Sequence, residues 1–246
     1  MVLPKVHRIQ LEHQRCNAPE PTWFNDLKSV WRMKQLSAYL ALILSVAFAF
    51  APAVTQPFSG FEADQFPIPQ INPPIQPAGY AFSVWGLIYS WLIISAVFGV
   101  WKRPVASDWI RTRWTLNLSL AVGVPWLAAA NVSAIWATIT IILMAVGATA
   151  SLIKAPTRDR WLIQAPVAVY AGWLTAASCV SIATTMAGYG ILTDSFRWAL
   201  VGIVSGLAIS LLVFSYRRQA PEYLLTIIWA LVGIIVANGL QMVAVS

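Results

Sequence analysis

Seven long apolar runs constrain this chain more than any other feature. They fall at about 36–54, 80–100, 114–130, 131–153, 161–185, 198–216 and 223–243. A helix needs roughly 20 mostly apolar residues to cross a ~30 Å hydrocarbon core, and each run is near that length. Only 10% of the residues are charged, against about 25% in a soluble domain. The surface of such a molecule must meet lipid. A closed β-barrel would also satisfy its backbone in lipid, but its strands alternate apolar and polar residues over about 10 positions. These runs are continuous, so the sequence predicts an all-α bundle of seven membrane-spanning helices. The 114–130 run is the shortest, and Pro125 is placed to kink it.

The net charge of +7 raises nucleic-acid binding, and its distribution removes it. Six basic residues precede the first run, from Lys5 to Lys34. Lys102, Arg103, Arg111 and Arg113 lie between the second and third. Lys154, Arg158 and Arg160 lie between the fourth and fifth, and Arg217 and Arg218 between the sixth and seventh. With alternating crossings this puts 15 of the 16 basic residues on one side, leaving only Arg197 opposite. Basic loops stay in the cytoplasm. The expected topology is therefore N-in/C-out in a bacterial-type cytoplasmic (inner) membrane, with the basic loops against anionic headgroups. Within the tail, Trp23, Phe24, Leu27, Val30, Trp31 and Met33 recur at helical spacing among Lys28 and Arg32. They predict a helix over 22–34 lying on the inner surface, with a disordered tail as the alternative.

Several functions are excluded. The last run has no lysine for a retinal Schiff base. His7 and His13 both lie in the tail, so no histidine can ligate a metal within the bilayer. Cys16 and Cys179 fall in different compartments of the predicted topology and show no metal-ligand spacing. The runs carry no clear interior charge of the kind that pumps and ion-coupled carriers use. No nucleophile–base pair or phosphate loop points to an enzyme.

The runs are instead rich in aromatic and small residues. Of the 13 Trp residues, Trp101, Trp109, Trp114, Trp161 and Trp198 sit where interfacial anchors belong. Trp85, Trp91, Trp126, Trp136, Trp173 and Trp229 lie deeper, where an indole N–H needs a partner. They either pack and face lipid or line a cavity for a flat hydrophobic ligand. Gly202, Gly206 and Ser210, and Ala168, Gly172 and Ala176, form small-residue stripes that let helices approach closely. The stripes serve internal packing or a homodimer seam. The 55–79 loop has six prolines, no basic residue, and Phe58, Phe61 and Phe66. Such a stiff apolar loop is expected to fold over the bundle as a lid; a plain tether is the alternative.

The stretch Asn72-Pro73-Pro74, followed by Pro77-Ala-Gly-Tyr-Ala-Phe82-Ser-Val-Trp85-Gly-Leu-Ile-Tyr89, resembles the start of the second helix in the tryptophan-rich sensory protein family, also called translocator proteins or TspO/MBR. Pro166 with Tyr170 and Trp173 resembles that family's fifth helix, and Asn117 its third-helix asparagine. The resemblance spans about residues 36–185. It implies a tail (1–35), a five-helix TspO-like core (36–185) and two additional helices (186–246). In this chain Tyr170 stands where the family has Trp, and Ser178 lies near the place of a fifth-helix Asn. The family binds tetrapyrroles, sterols and synthetic aromatic ligands in a pocket between helices. The expected site is thus Trp85, Tyr89, Tyr170 and Trp173 around the ligand, with Asn117 as polar contact and Phe82, Trp126, Trp136, Asn72, Pro73 and Pro74 nearby. No covalent cofactor is expected. A non-covalent porphyrin or haem is, with metal-free porphyrin favoured by the missing histidine. Two further readings stand beside this one: an accessory subunit docking through the last two helices, and light-dependent degradation of a bound porphyrin.

Overall fold

The computed structural model describes residues 22–245, with side chains from 31 to 239. His7, His13 and Cys16 lie outside the described residues. All regular structure among the described residues is helical. The helices are α1 (Thr22–Val54), α2 (Val84–Lys102), α3 (Ser107–Gly123), α4 (Trp126–Val132), α5 (Ala134–Lys154), α6 (Gln164–Gly188), α7 (Ser195–Tyr216) and α8 (Pro221–Val245). They supply seven segments long and apolar enough to cross a membrane. The third is α3 and α4 together, broken at Val124 and Pro125 as the proline predicts. Pro125 cannot donate to the carbonyl one turn back, and its ring crowds that turn.

Several boundaries differ from the sequence expectation, each for a physical reason. The predicted surface helix over 22–34 is not a separate element. α1 runs unbroken for 33 residues, about 50 Å at 1.5 Å per residue, so the Trp-rich stretch continues the first span. α3 starts at Ser107, inside a stretch the charges of Arg111 and Arg113 had marked as loop. Arg113 is instead buried, and its guanidinium donates to the carbonyls of Gly99 (2.9 Å), Arg103 (2.8 Å) and Pro104 (3.2 Å). It adds side-chain donors to the carbonyls at the end of α2, where helical partners run out. Glu222 is also buried, in the first turn of α8. Charge within a span is thus tolerated where backbone or an opposite charge meets it.

α6 is the centre of the bundle. Of its most apolar stretch 78% is buried, against 22% for α7. It packs on α5, α7 and α8. Small residues make these contacts close. A Cβ added at Gly172 would lie 2.6 Å from the Tyr223 carbonyl oxygen. Gly202, Gly206 and Ser210 are buried on α7, with Cys179 of α6 against both glycines. Both stripes therefore serve internal packing. The Gly202 stripe is not left free to face a partner, so a docking subunit could not use it.

The 55–79 loop is folded onto the bundle. Phe66 is buried against Gly188, and the Ile68 N–H donates to the Gly188 carbonyl at 2.9 Å. Gln65 Nε2 donates to the Ala130 carbonyl at 2.9 Å. Ile75 inserts between α6, α7 and α8. Near its end, the Ala78 N–H donates to the Gly233 carbonyl at 3.0 Å, and Asn238 Nδ2 to the Pro74 carbonyl at 2.9 Å. The last helix clamps this loop.

Candidate functional site

Under the loop lies an aromatic cavity. Phe58, Gly60, Phe61, Gln76 and Pro77 roof it. Phe82 and Trp85 come from the start of the second span, Trp126 from α4, and Ile141 from α5. Trp173, Ala176, Ala177, Val180, Ser181 and Thr184 come from α6, and Ala230 from α8. The helical spacing of 173, 176, 177, 180, 181 and 184 turns one continuous face of α6 to the cavity.

The rings are arranged edge to face, the geometry their quadrupoles favour. Trp173 meets Phe82 at 5.7 Å and Trp85 at 6.1 Å between centroids. Phe58 meets Trp126 at 5.2 Å and Phe61 at 5.5 Å, and Phe61 meets Phe66 at 5.8 Å. One set of rings joins the lid to Trp126, and a second set forms the Phe82–Trp173–Trp85 wall. By the room open to a water molecule's centre, the cavity measures about 50 Å³, space for a few waters. A ligand the size of a tetrapyrrole needs the roof to lift and the rings to part.

Two polar groups on the lining are unsatisfied. Trp173 is buried, and its indole Nε1 has no acceptor; the buried hydroxyl of Thr184 has no partner either. A buried donor without an acceptor costs about 1–3 kcal/mol. Three other deep indoles are paired: Trp126 to the Ala137 carbonyl (3.0 Å), Trp229 to Ala81 (2.9 Å) and Trp91 to Trp161 (2.8 Å).

Of the predicted site residues, Phe82, Trp85, Trp126 and Trp173 line the cavity. The others lie elsewhere. Tyr89 stacks beneath Trp85 at 5.4 Å and meets Phe48 at 5.2 Å. Tyr170 is one turn from Trp173 and completely buried, with its hydroxyl 3.0 Å from Ser119 Oγ. Phe48 packs on Tyr89 and Tyr170, and neither tyrosine lines the cavity. Asn117 is buried beside α1, donating to the Ser37 carbonyl at 3.0 Å, far along α3 from the cavity. Trp136 is 63% exposed on the outer face. Pro73 is buried and Pro74 anchors the loop to Asn238, while Asn72 takes a left-handed turn (φ 48°) that ends the loop's outward run. These three shape the lid and do not line the cavity. Trp109, expected at the interface, is 1% exposed; it packs on Gly99 and its Nε1 lies 3.3 Å from Asp159. The sequence reading missed Thr184, Ala177 and Ala230, whose small or single polar side chains carry no signal until α6 is oriented.

On the basic-loop side, Arg103 holds Asp159 through two hydrogen bonds of 2.7 and 3.2 Å. The Arg103 guanidinium holds the Asp159 carboxyl below the usual carboxylate range, and the Trp109 indole adds to this. The pair ties the end of α2 to the α5–α6 loop.

Seven membrane-length helical segments around a lidded aromatic cavity define a polytopic membrane protein with an apolar internal site. The chain matches the TSPO-like protein family over residues 35–246 and belongs to it. The match runs through α7 and α8, so the last two spans lie inside the family's own boundary. No curated protein and no solved structure shows a significant match to the chain.

Proposed function

We propose that this protein binds a planar hydrophobic ligand, a tetrapyrrole before a sterol, in the cavity beneath the 55–79 loop, as a receptor or sensor without covalent chemistry. The observation that carries this reading is the Trp173 indole N–H, buried and unpartnered on a wall shared with Phe82 and Trp85. A ligand presenting an acceptor to that N–H, and a second polar group to Thr184, would relieve both unsatisfied groups while the rings cover its faces. A porphyrin with ring nitrogens and acidic side chains fits that description. Sterols offer one hydroxyl and no flat π-face.

No histidine lies in any span, so a bound metal would lack its common axial ligand. Metal-free porphyrin is the preferred tetrapyrrole. The basic loops support a reading with the N-terminus in the cytoplasm of a bacterial-type inner membrane and the lid on the opposite side. The ligand would then arrive from the outer leaflet or beyond it.

The test is a tryptophan-quenching titration of detergent-purified protein with protoporphyrin IX, beside Trp85→Phe and Trp173→Phe. Wild type should quench saturably. Trp173→Phe keeps much of the apolar area and removes the N–H, so affinity should fall about threefold to tenfold, the equivalent of one hydrogen bond. Unchanged affinity in both variants would remove these residues from the site.

A further inference from the structure

We propose that a phospholipid with a primary ammonium headgroup, of the phosphatidylethanolamine kind, binds the outer wall between α2 and α8 as a fixed part of this protein. α8 meets the turn before α2, but below that turn an apolar groove of about 430 Å³ opens to the surroundings. Val84, Leu87 and Trp91 form one wall, Leu225 and Trp229 the other, and Val169 of α6 the floor. A straight apolar slot in a membrane-facing wall suits an acyl chain.

What distinguishes this groove from ordinary lipid contact is its basic-side end. Glu222 lines the groove there and is hydrogen-bonded to Arg160. Arg160 in turn lines an open pocket of about 460 Å³ with Thr157, Gln164, Gln219 and Pro221. The first residues of two long helices, Gln164 of α6 and Pro221 of α8, border that pocket. Helix N-termini and an arginine together attract a phosphate. Trp161 lies under the Arg160 guanidinium at 4.9 Å and stacks with Trp91 of the groove wall at 6.3 Å. Aromatic pairs of this kind mark headgroup depth.

Unsatisfied atoms here specify more than an anion. Gln164 is fully buried, and its Nε2 donates to the Gln219 carbonyl at 2.6 Å, which leaves its Oε1 without a donor. Glu222 is 7% exposed, and its Oε2 is likewise unpartnered, as is Arg160 Nε. Two orphan acceptors and one orphan cationic donor complement a headgroup with both N–H donors and a phosphate. A choline headgroup has no N–H to give, and a glycerol headgroup has no positive charge for Glu222.

The test is native mass spectrometry of delipidated full-length protein in detergent. Phosphatidylethanolamine, phosphatidylglycerol and phosphatidylcholine with identical chains are added in equal amounts. Wild type should retain one phosphatidylethanolamine in preference to the others. Arg160→Ala and Gln164→Leu attack the headgroup pocket, and Leu225→Trp fills the groove without touching the ion pair. Each should lower retention, with about a tenfold loss for Arg160→Ala, the size expected of a charge-assisted contact. Leu211→Trp, on the exposed face of α7, should retain lipid as wild type does. If Arg160→Ala fails to fold, Leu225→Trp and Gln164→Leu decide. Equal retention of the three lipids, or full retention in Leu225→Trp and Gln164→Leu, would overturn the proposal.

Discussion

Trp173 and Tyr170 show how one helical turn separates a cavity-lining residue from a core residue. Both aromatics were read from the same fifth-span motif. Trp173 faces the cavity with a free N–H, while Tyr170 is completely buried, packed on Phe48, with its hydroxyl at Ser119. Tyr170→Phe should therefore leave porphyrin affinity within about twofold and cost roughly 1 kcal/mol of stability, the ordinary worth of a buried hydrogen bond, measurable as a lower unfolding midpoint in detergent. The motif made Phe82, Trp85 and Trp173 legible because aromatic residues at a fixed spacing carry a pattern. Asn117 and Trp136 were misplaced because spacing gives depth along a helix and says little of its rotation about its axis. Asp159 yields a second residue-scale expectation. Its carboxyl is held low by Arg103, so the ionised form stabilises the folded state above the unfolded value of about 3.9. That stabilisation is lost as pH falls through the lower folded value. Wild type should hold its melting temperature down to about pH 4 and then decline. Asp159→Asn should melt lower at neutral pH and lose that part of the acid dependence; an identical profile for the two proteins would remove the pair from the stability account.

The decisive element is the 55–79 loop. Its prolines, phenylalanines and missing basic residues predicted a lid, and the structure seats Phe58 and Phe61 over the cavity and Phe66 against α6. Its anchoring to α8 was not legible, because it rests on the backbone bond from Ala78 to Gly233 and on a lone Asn238 side chain that forms no pattern with its neighbours. Gly60 is the weak point of this lid. It adopts φ 142°, and a Cβ there would sit 2.1 Å from Gln76 Nε2. Gln76 itself ties the loop to the Ser59 carbonyl at 3.0 Å. Gly60→Ala should cost about 1 kcal/mol or more in backbone strain and displace Gln76. The expected readout is faster porphyrin association and dissociation in stopped-flow quenching, with unfolding shifted only slightly. Unaltered rates would mean that the loop does not gate the cavity. The surface helix expected over 22–34 has the opposite history. Its amphipathic spacing was real, but amphipathicity alone cannot distinguish a helix lying flat from one that continues into a span.

At the scale of the whole molecule, the seven spans were legible because each must be long and apolar to cross lipid. Their arrangement was less so. The resemblance to a five-helix core set α7 and α8 apart as additions. In the structure α8 supplies Ala230 to the cavity and holds the lid through Gly233 and Asn238, while α7 packs its glycines on α6. A chain ending at residue 190 should therefore lose saturable porphyrin quenching, since its cavity lacks a wall and its lid lacks two anchors. Retained affinity in that truncation would restore the view of a self-sufficient five-helix core. The central claim, that the ligand occupies the space under the lid, is met most directly by filling that space. Ala177 lines the cavity from α6, and Ala177→Phe would occupy it while leaving every aromatic wall residue in place. The measurement is a protoporphyrin IX quenching titration of Ala177→Phe beside wild type, with unfolding midpoints taken on the same preparations. Saturable quenching in wild type, lost in a variant that still unfolds cooperatively, is the predicted result. Equal affinity in a folded Ala177→Phe protein would contradict the account and place the ligand elsewhere.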